Sequence, residues 1–374
     1  MRSETAAAVV VLIAALVNST AADETLLIRL PSEVTSPRSM GLGGAMVGLG
    51  GDASSFASNP ASLIAVPRSL DAVVAGGNHG SYMVAVGLHP FRNWAFGVLL
   101  PTADHRLELV RPRPEGGEVL RPKDGRWGAL SVARTLFDRR FSIGASLEVE
   151  HLRLLDESGR GSARQTWGPI IGTVGLFVQP DARDGTRLGV AYRRGLDRNF
   201  DATADTFGNA DTTYRVRRPE VISFGASWRY GWLKNTHLVF TVQPELIRYQ
   251  IVAANAGTEL DFRAGLEASF PLGSCVSGCG GMWQLRGGLV SRSGIPSLVP
   301  TFNQGYDPGR RGTVFTGGGS IADPRVFSGK LKLDVGYSGG CDSQSRRCHT
   351  WTVGLSGRFP SAFRGDLQYN RPPR

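Results

Sequence analysis

Six histidines, four cysteines and clustered carboxylates are the residues of this sequence whose types could carry chemistry. The histidines are scattered, and the Gly-x-Ser-x-Gly signature of serine hydrolases and the His-Glu-x-x-His signature of zinc proteases are missing. Glu148, Glu150 and His151 stand close together, but they occupy a stretch of alternating residues, where they would line one face and the rim of a strand. We therefore predict that the protein is not an enzyme and holds neither a metal nor a cofactor.

The cysteines form two close pairs, Cys275-x-x-x-Cys279 and Cys341 with Cys348. Zinc bound by four thiolates is one interpretation, although these spacings are not the two-residue knuckles of most zinc sites. In an oxidising compartment disulfides are the default. We expect local disulfides, Cys275 with Cys279 in a periplasmic turn and Cys341 with Cys348 in an external loop.

Export is predicted by the first 22 residues. The apolar run Ala6–Val17 is shorter than the roughly 20 residues that a membrane-spanning helix needs. Small residues follow it, which predicts cleavage after Ala21 or Ala22. Because the chain carries a formal charge of +10, we expect an exported protein of this kind to meet outer-membrane lipid and anionic lipopolysaccharide, and not nucleic acid.

Alternation with period two recurs through most of the mature chain. In 141–149, for example, apolar residues from Phe141 to Val149 alternate with Ser142, Gly144, Ser146 and Glu148. The pattern predicts fourteen strands, at 69–76, 80–88, 94–103, 125–136, 141–153, 165–178, 186–196, 217–230, 237–251, 258–270, 282–293, 312–321, 327–338 and 349–359.

The links between these strands alternate between short and long, as the periplasmic turns and external loops of a bacterial barrel do. Aromatic residues such as Trp94, Trp228 and Trp283 fall near strand ends, where a membrane barrel has its aromatic girdles. A soluble β-sandwich would also alternate, but membrane-spanning strand length favours a barrel. We predict an all-β fold, a 14-stranded antiparallel transmembrane β-barrel in the Gram-negative outer membrane.

Residues 23–68 do not alternate and are not predicted to form strands. They contain Met40-Gly-Leu-Gly-Gly-Ala45, Asp52-Ala53 and Asn59-Pro60-Ala61. Asp52 is predicted to cap a short helix through Ala57, and Pro60 to open a second turn. The glycines lack the spacing of a nucleotide-binding loop.

These motifs resemble the N-terminal hatch of the FadL superfamily of outer-membrane proteins, and Leu188-Gly-x-x-Tyr192-Arg193 resembles one of its strands. The resemblance implies a signal peptide (1–22), a hatch (23–68) that plugs the lumen, a barrel (69–359) and a C-terminal tail (360–374). It also implies passive uptake of hydrophobic or amphipathic molecules such as long-chain fatty acids, here expected of a monomer. A PorV-like branch of the superfamily, which serves protein secretion and surface attachment, remains the alternative. The hatch residues that the resemblance to the FadL superfamily singles out are Gly41, Gly43, Gly44, Asp52, Asn59, Pro60 and Ala61.

Two further expectations concern the route of the solute. In the FadL family a kink in the third strand opens the wall sideways, and here the third strand carries Pro101, which cannot donate to a ladder. Pro101 could equally end an ordinary strand. Arg263 and Arg286 are predicted to face the lumen, where they would either bind a carboxylate or be ordinary solvated lining.

Overall fold

Strands account for most of the described chain. The computed structural model describes residues 24–29, 36–66, 69–77, 82–91, 93–103, 108–111, 118–120, 124–136, 140–155, 162–180, 185–202, 212–233, 236–252, 255–271, 282–292, 312–322, 331–339 and 349–360. Its strands are β1 (Glu24–Arg29), β2 (Ser69–Gly77), β3 (Tyr82–Phe91), β4 (Trp94–Ala103), β5 (Glu108–Arg111), β6 (Glu118–Leu120), β7 (Asp124–Leu136), β8 (Phe141–Leu155), β9 (Ser162–Val178), β10 (Arg187–Arg193), β11 (Leu196–Ala202), β12 (Thr212–Arg218), β13 (Glu220–Leu233), β14 (Thr236–Val252), β15 (Asn255–Pro271), β16 (Met282–Arg292), β17 (Gly312–Ala322), β18 (Leu331–Gly339) and β19 (His349–Pro360).

Fourteen of these strands close into an antiparallel barrel. Its order is β2-β3-β4-β7-β8-β9-β10-β13-β14-β15-β16-β17-β18-β19, and β19 closes the ring on β2. Each of the fourteen predicted strands is present, so the predicted fold class is confirmed.

The two faces of the wall differ in polarity as alternation requires. On β8, Ile143 and Leu147 are 40% and 46% exposed on the outside, whereas Ser146 and Glu148 are 3% and 0% exposed on the inside. Large apolar side chains are exposed in the same way on the outer face of strands around the ring, which is the surface that a lipid bilayer covers. Among the described residues, no helix is long and apolar enough to cross a membrane.

A second, five-stranded sheet has the order β11-β12-β1-β5-β6. β5 and β6 lie in the link between β4 and β7, and β11 and β12 lie in the link between β10 and β13. We call the end of the barrel that carries these links the long-loop end; in a bacterial barrel it is the external end. No strand was predicted from the sequence between 103 and 125, between 196 and 217, or in 23–68, and the strands of this sheet were therefore missed. β1 pairs in parallel with β12 and antiparallel with β5, and such distant pairing leaves little trace in a short local pattern.

The predicted hatch range 23–68 contains β1 and the described segment Ser36–Val66, and we use the word hatch for this second segment from here on. It contains helix α1 (Pro37–Gly41) and two 3-10 turns, η1 (Ser55–Ala57) and η2 (Pro60–Ala65). Pro60 opens η2 as predicted, with Asn59 as its cap. The cap predicted at Asp52 was wrong, because η1 begins only at Ser55 and its N-cap is Ser54. α1 was not predicted, although Ser36 followed by proline is a recognisable helix start.

Candidate functional site

The hatch lies inside the barrel against a ring of wall glycines. On eleven of the fourteen barrel strands a glycine faces a hatch residue so closely that a Cβ there would touch it. We call this set the glycine ring: Gly87, Gly97, Gly144, Gly175, Gly189, Gly225, Gly265, Gly288, Gly318, Gly336 and Gly354.

The glycine ring brings wall backbone against hatch backbone. A Cβ at Gly144 would stand 2.5 Å from the backbone nitrogen of Ala61, and one at Gly288 would stand 2.5 Å from that of Gly43. Both distances are shorter than real Cβ contacts, so only glycine fits without a shift. Gly43 and Gly44 turn the hatch at φ 64° and 79°, a left-handed conformation that also favours glycine. At Gly144 and Gly288 the wall therefore leaves no room for a side chain beside the hatch.

Hydrogen bonds fix the hatch in register with the wall. Asn59 Nδ2 donates to the carbonyl oxygens of Val47 and Leu176, each at 3.0 Å, and Asn59 Oδ1 accepts from Ala61 N. The Asn59-Pro60-Ala61 motif thus holds one hatch turn to another and to β9. Gln243 Oε1, on β14, accepts from Val47 N at 2.8 Å and so fixes the same hatch turn to a second part of the wall.

One side of the hatch is held by charge. Arg38 donates from Nη1 to Asp52 at 2.8 Å and from Nε and Nη2 to the two oxygens of Glu267 at 3.0 Å each. Arg286 donates to Glu267 at 2.7 Å and to Asp334 at 2.9 Å. We call Arg38, Asp52, Glu267, Arg286, Lys332 and Asp334 the polar sector. It links the hatch to β15, β16 and β18.

Arg38 and Asp52 are electrostatically matched within the polar sector. Burial acts to raise the pKa of Asp52, but the charge and hydrogen bond of Arg38, with the hydrogen bond from Ser54, outweigh it, so this pKa lies below its ordinary value. Burial acts to lower the pKa of Arg38, and the carboxylates of Glu267 and Asp52 raise it above its ordinary value. Both groups are therefore charged in the closed hatch.

Arg263 and Arg286, the predicted carboxylate-binding residues, both face the lumen and are each 6% exposed. Arg263 Nη2 lies 2.5 Å from Glu245, and Arg286 is held by Glu267 and Asp334. Since wall carboxylates already occupy both guanidinium groups, this geometry favours a structural role. Their binding of a ligand carboxylate stays a prediction.

The opposite side of the hatch is apolar. Buried Ala53, Phe56 and Leu63 of the hatch pack on wall residues of β2, β3, β4 and β7. We call this cluster the apolar sector; its wall members are Val73, Ala85, Ala95, Leu99, Ala129 and Ala133, with partly buried Trp127 against them.

The wall is irregular beside the apolar sector. Leu99 pairs with Ala129 and Thr102 pairs with Trp127, so Leu100 and Pro101 of β4 stand opposite one residue of β7. This is a β-bulge in the third barrel strand, a feature that bends a strand and interrupts its ladder. Pro101 lies within it, and a lateral opening at this position stays a prediction.

A buried ion cluster on the long-loop side of the lumen was not predicted. Glu148, fully buried, accepts from Arg218 at 3.1 Å and from Thr173 at 2.6 Å, and Arg218 also contacts Glu150. The guanidinium of Arg193 lies 4.7 Å from the ring centre of Trp127. The inward alternation of Glu148 and Glu150 was visible in the sequence, but their partner Arg218 ends β12 and does not belong to the barrel strand that was predicted from 217. The four cysteines lie outside the described residues.

Comparisons with known proteins match this architecture by structure alone. No protein-family model matches the chain, and no curated sequence does. The CymD monoaromatic hydrocarbon channel matches with a TM-score of 0.53 and 16% identity, over 87% of this chain and 98% of its own. The toluene transporter TbuX of Ralstonia pickettii matches with a TM-score of 0.53 and 16% identity, over 88% of this chain and 99% of its own.

At such identity the likeness shows the fold. A closed barrel with an apolar outer face is a transmembrane β-barrel, a class that belongs to the Gram-negative outer membrane. Within that class, the chain shares its overall fold with these two solved structures. Both matched proteins are channels or transporters, not enzymes.

Proposed function

We propose that the protein is a passive channel that takes up hydrophobic or amphipathic molecules across the outer membrane. The observation that carries this proposal is the apolar sector, which ends at the β-bulge of Leu100 and Pro101. A solute between hatch and wall on this side would contact the nine buried apolar residues of the sector, with the buried carboxylate of Asp71, which accepts from Ala53 N at 3.1 Å, at its edge. It would reach the bilayer through the wall rather than cross a water-filled pore.

The fold shared with two hydrocarbon channels supports the proposal, and so does the resemblance of the hatch motifs to the FadL superfamily. The glycine ring supports it as well, because hatch and wall backbone in contact leave no wide aqueous path of the kind that general porins use.

Uptake of labelled toluene and oleate into cells with and without the protein tests the proposal. Leu99→Asn places an amide in the apolar sector beside the bulge, and Val239→Asn places one in a separate apolar hatch contact with Leu42, Met46 and Leu49. Desolvating an unpaired amide costs about 1–3 kcal/mol, so Leu99→Asn should slow toluene uptake by roughly five- to a hundredfold. Val239→Asn should leave uptake nearly unchanged. Equal effects of the two variants would argue against this route.

Long-chain fatty acids are the amphipathic substrates that the resemblance implies, and they need a partner for their carboxylate. The variant Arg263→Ala with Arg286→Ala decides whether these arginines supply it. Lost oleate uptake with intact toluene uptake would support carboxylate binding. Faster passage of both solutes would assign the two arginines to hatch closure, which their ion pairs favour.

A PorV-like scaffold is the second candidate. The observation in its favour is the five-stranded sheet, in which β6 and β11 are edge strands that could pair with a partner chain. If the wild-type protein takes up neither solute, the scaffold becomes the better proposal.

A further inference from the structure

A cavity of about 170 Å³ lies where β10, β13 and β14 meet the second sheet. It is separate from the hatch contacts and from the apolar sector. We call it the rim cavity; its charged lining consists of Arg194, Asp197, Arg217, Arg218, Glu220 and Arg248.

The rim cavity opens on the outer face of the barrel. Gly189 and Gly225 face the hatch, and side chains alternate along a strand, so Tyr192 and Glu220 point outward. The side chain of Arg248 is 55% exposed on the same face. The cavity therefore faces the surroundings of the barrel and not its lumen.

The rim cavity lies at the level of one surface of the membrane. Glu220 and Tyr230 lie ten residues apart on β13, which at about 3.3 Å per residue and a tilt of about 40° separates them by about 25 Å along the barrel axis. That is the height of the apolar band of an outer-membrane barrel. Tyr230, 61% exposed, suits one interface, and the rim cavity then lies at the other, at the long-loop end.

The outward-facing charges of the rim cavity do not cancel. Arg218 is turned inward to Glu148, which leaves Arg194, Arg217 and Arg248 with Asp197 and Glu220. Arg217 lies 3.4 Å from Asp197, and Arg248 lies 3.7 Å from Glu220, which also accepts from the hydroxyl of Tyr192. In the described part of the chain, no carboxylate lies within ion-pair distance of Arg194. Among the described residues that line the cavity, one positive charge is in surplus; Arg194 is exposed, and Arg248 faces outward.

Apolar surface continues from the rim cavity towards the membrane centre. Along β13 the next outward residues are Ile222 and Phe224, and Phe224 is 51% exposed. On β10, Val190 is opposite Phe224, and Leu188, 44% exposed, is opposite Ala226, one outward position further from the rim cavity. Arginines at the surface with exposed apolar side chains below them match an amphiphile that carries an anionic head and acyl chains.

We propose that the rim cavity binds a phosphate group of an outer-leaflet glycolipid, the lipid A part of lipopolysaccharide. Arg194 and Arg248 donate to the phosphate, and the acyl chains lie on Leu188 and Phe224. Arginine suits this role because its planar fork forms paired, charge-assisted hydrogen bonds with phosphate oxygens.

Binding of bis-phosphorylated lipid A to the purified, detergent-solubilised barrel tests the proposal. Arg194→Gln with Arg248→Gln removes both outward donors and should weaken binding about tenfold or more. Arg134→Gln is the matched control, since Arg134 is an exposed, outward arginine beside Trp94 at the opposite rim. The control variant should bind like the wild type. Heat-modifiable migration of the barrel on gels confirms that each variant is folded.

The remaining arms separate the possible sources of phosphate. Dephosphorylated lipid A should bind at least tenfold more weakly than the phosphorylated form, and millimolar inorganic phosphate should compete poorly, because it lacks acyl chains. Equal binding of both lipids would overturn the proposal, and so would full competition by inorganic phosphate at low concentration, which would mark a free-phosphate site. An equal loss of lipid A binding in the Arg134→Gln control would mean that the positive charge of the barrel as a whole, and not the rim cavity, binds the lipid, which would overturn the proposal. Solute uptake is measured in parallel, so that this proposal can fail while the proposed function stands.

Discussion

At the scale of single residues, Arg38 is the side chain that joins hatch to wall. It contacts one carboxylate of the hatch, Asp52, and one of the barrel, Glu267, and it is only 15% exposed. A buried cation between two carboxylates adds little net stability, but its removal leaves Asp52 without its ion-pair partner and leaves Glu267, of the residues that the structure describes, paired with Arg286 alone. Arg38 therefore holds the hatch to the wall, and we expect its loss to open the lumen while the barrel stays folded.

Arg38→Ala should loosen the hatch. Removing one partner of a buried ion pair costs about 3–5 kcal/mol, and the exposure of Arg38 places the expected cost at the lower end. Single-channel recordings in planar bilayers should show larger and more frequent open states than the wild type. Arg134→Ala, which removes an outward arginine, should record like the wild type. Unchanged conductance in Arg38→Ala would mean that the apolar sector alone keeps the hatch in place.

Acid should open the hatch through Asp52. Because the folded-state pKa of Asp52 lies below its ordinary value of about 3.9, its ion pair contributes fully above about pH 4 and is lost as the pH falls through the lowered pKa. Conductance recorded from pH 6 to pH 2.5 should therefore rise only below about pH 4. Asp52→Asn should be more conductive at neutral pH and less sensitive to acid. A transition near pH 6 would point to groups other than Asp52.

At the scale of elements, the glycine ring explains how a segment with little regular structure is held without gaps. Glycines on neighbouring strands often pair directly, as Gly189 does with Gly225 and Gly265 does with Gly288. Two such residues side by side form a strip of bare backbone, and the hatch lies on that strip. The fit therefore depends on the register of the barrel and not only on its composition.

Gly288→Ala and Gly287→Ala form a matched pair for this interpretation. A Cβ at Gly288 would meet Gly43 N at 2.5 Å, whereas one at Gly287 would meet nothing within 4 Å. Overpacking costs about 1–3 kcal/mol, so Gly288→Ala should raise conductance or lower the unfolding temperature. Gly287→Ala should change neither. Similar behaviour of the two variants would show that the hatch yields easily to the wall.

The sequence predicts the barrel strands well because a strand with one face in lipid must alternate over its whole length, and β8 shows this residue by residue. β1, β5, β6, β11 and β12 escape prediction because they are short and depend on partners far along the chain. The ion-pair partner of Arg286 was not predicted, although the sequence contained enough information to find it. Glu267 stands directly opposite Arg286 in the β15–β16 register, so aligning the two predicted strands would have paired them. The glycine ring could not be predicted, because its members are recognised only once the position of the hatch in the lumen is known, and no local sequence pattern gives that position.

At the scale of the whole molecule, two different kinds of contact hold the hatch against the wall. The polar sector lies against β15, β16 and β18, and the apolar sector lies against β2, β3, β4 and β7. Charge holds one side in place, while dispersion and burial hold the other, which is the side with the irregular wall. In the proposed uptake, a hydrophobic solute would compete with apolar contacts of the hatch in the apolar sector.

Deletion of residues 23–66 tests the hatch as a unit. The remaining strands close on themselves through β2 and β19, so the barrel should still assemble. Its conductance in planar bilayers should rise well above that of the wild type, because the glycine ring would then line an empty lumen. Circular dichroism checks that the β content is retained. A deleted protein with wild-type conductance would show that the segment does not block the lumen.

The two ends of the hatch are anchored on opposite sides of the membrane. Before it, β1 pairs with β12 and β5 at the long-loop end; after it, β2 begins at the other end of the barrel. A hatch attached at one end only could leave the lumen through the opposite opening of the barrel. A plug tethered at both ends cannot leave in either direction without breaking a strand pairing. In the proposed uptake, a solute would therefore pass through small displacements of a hatch that stays attached at both ends, and the β-bulge of β4 would be the part of the wall that moves most easily.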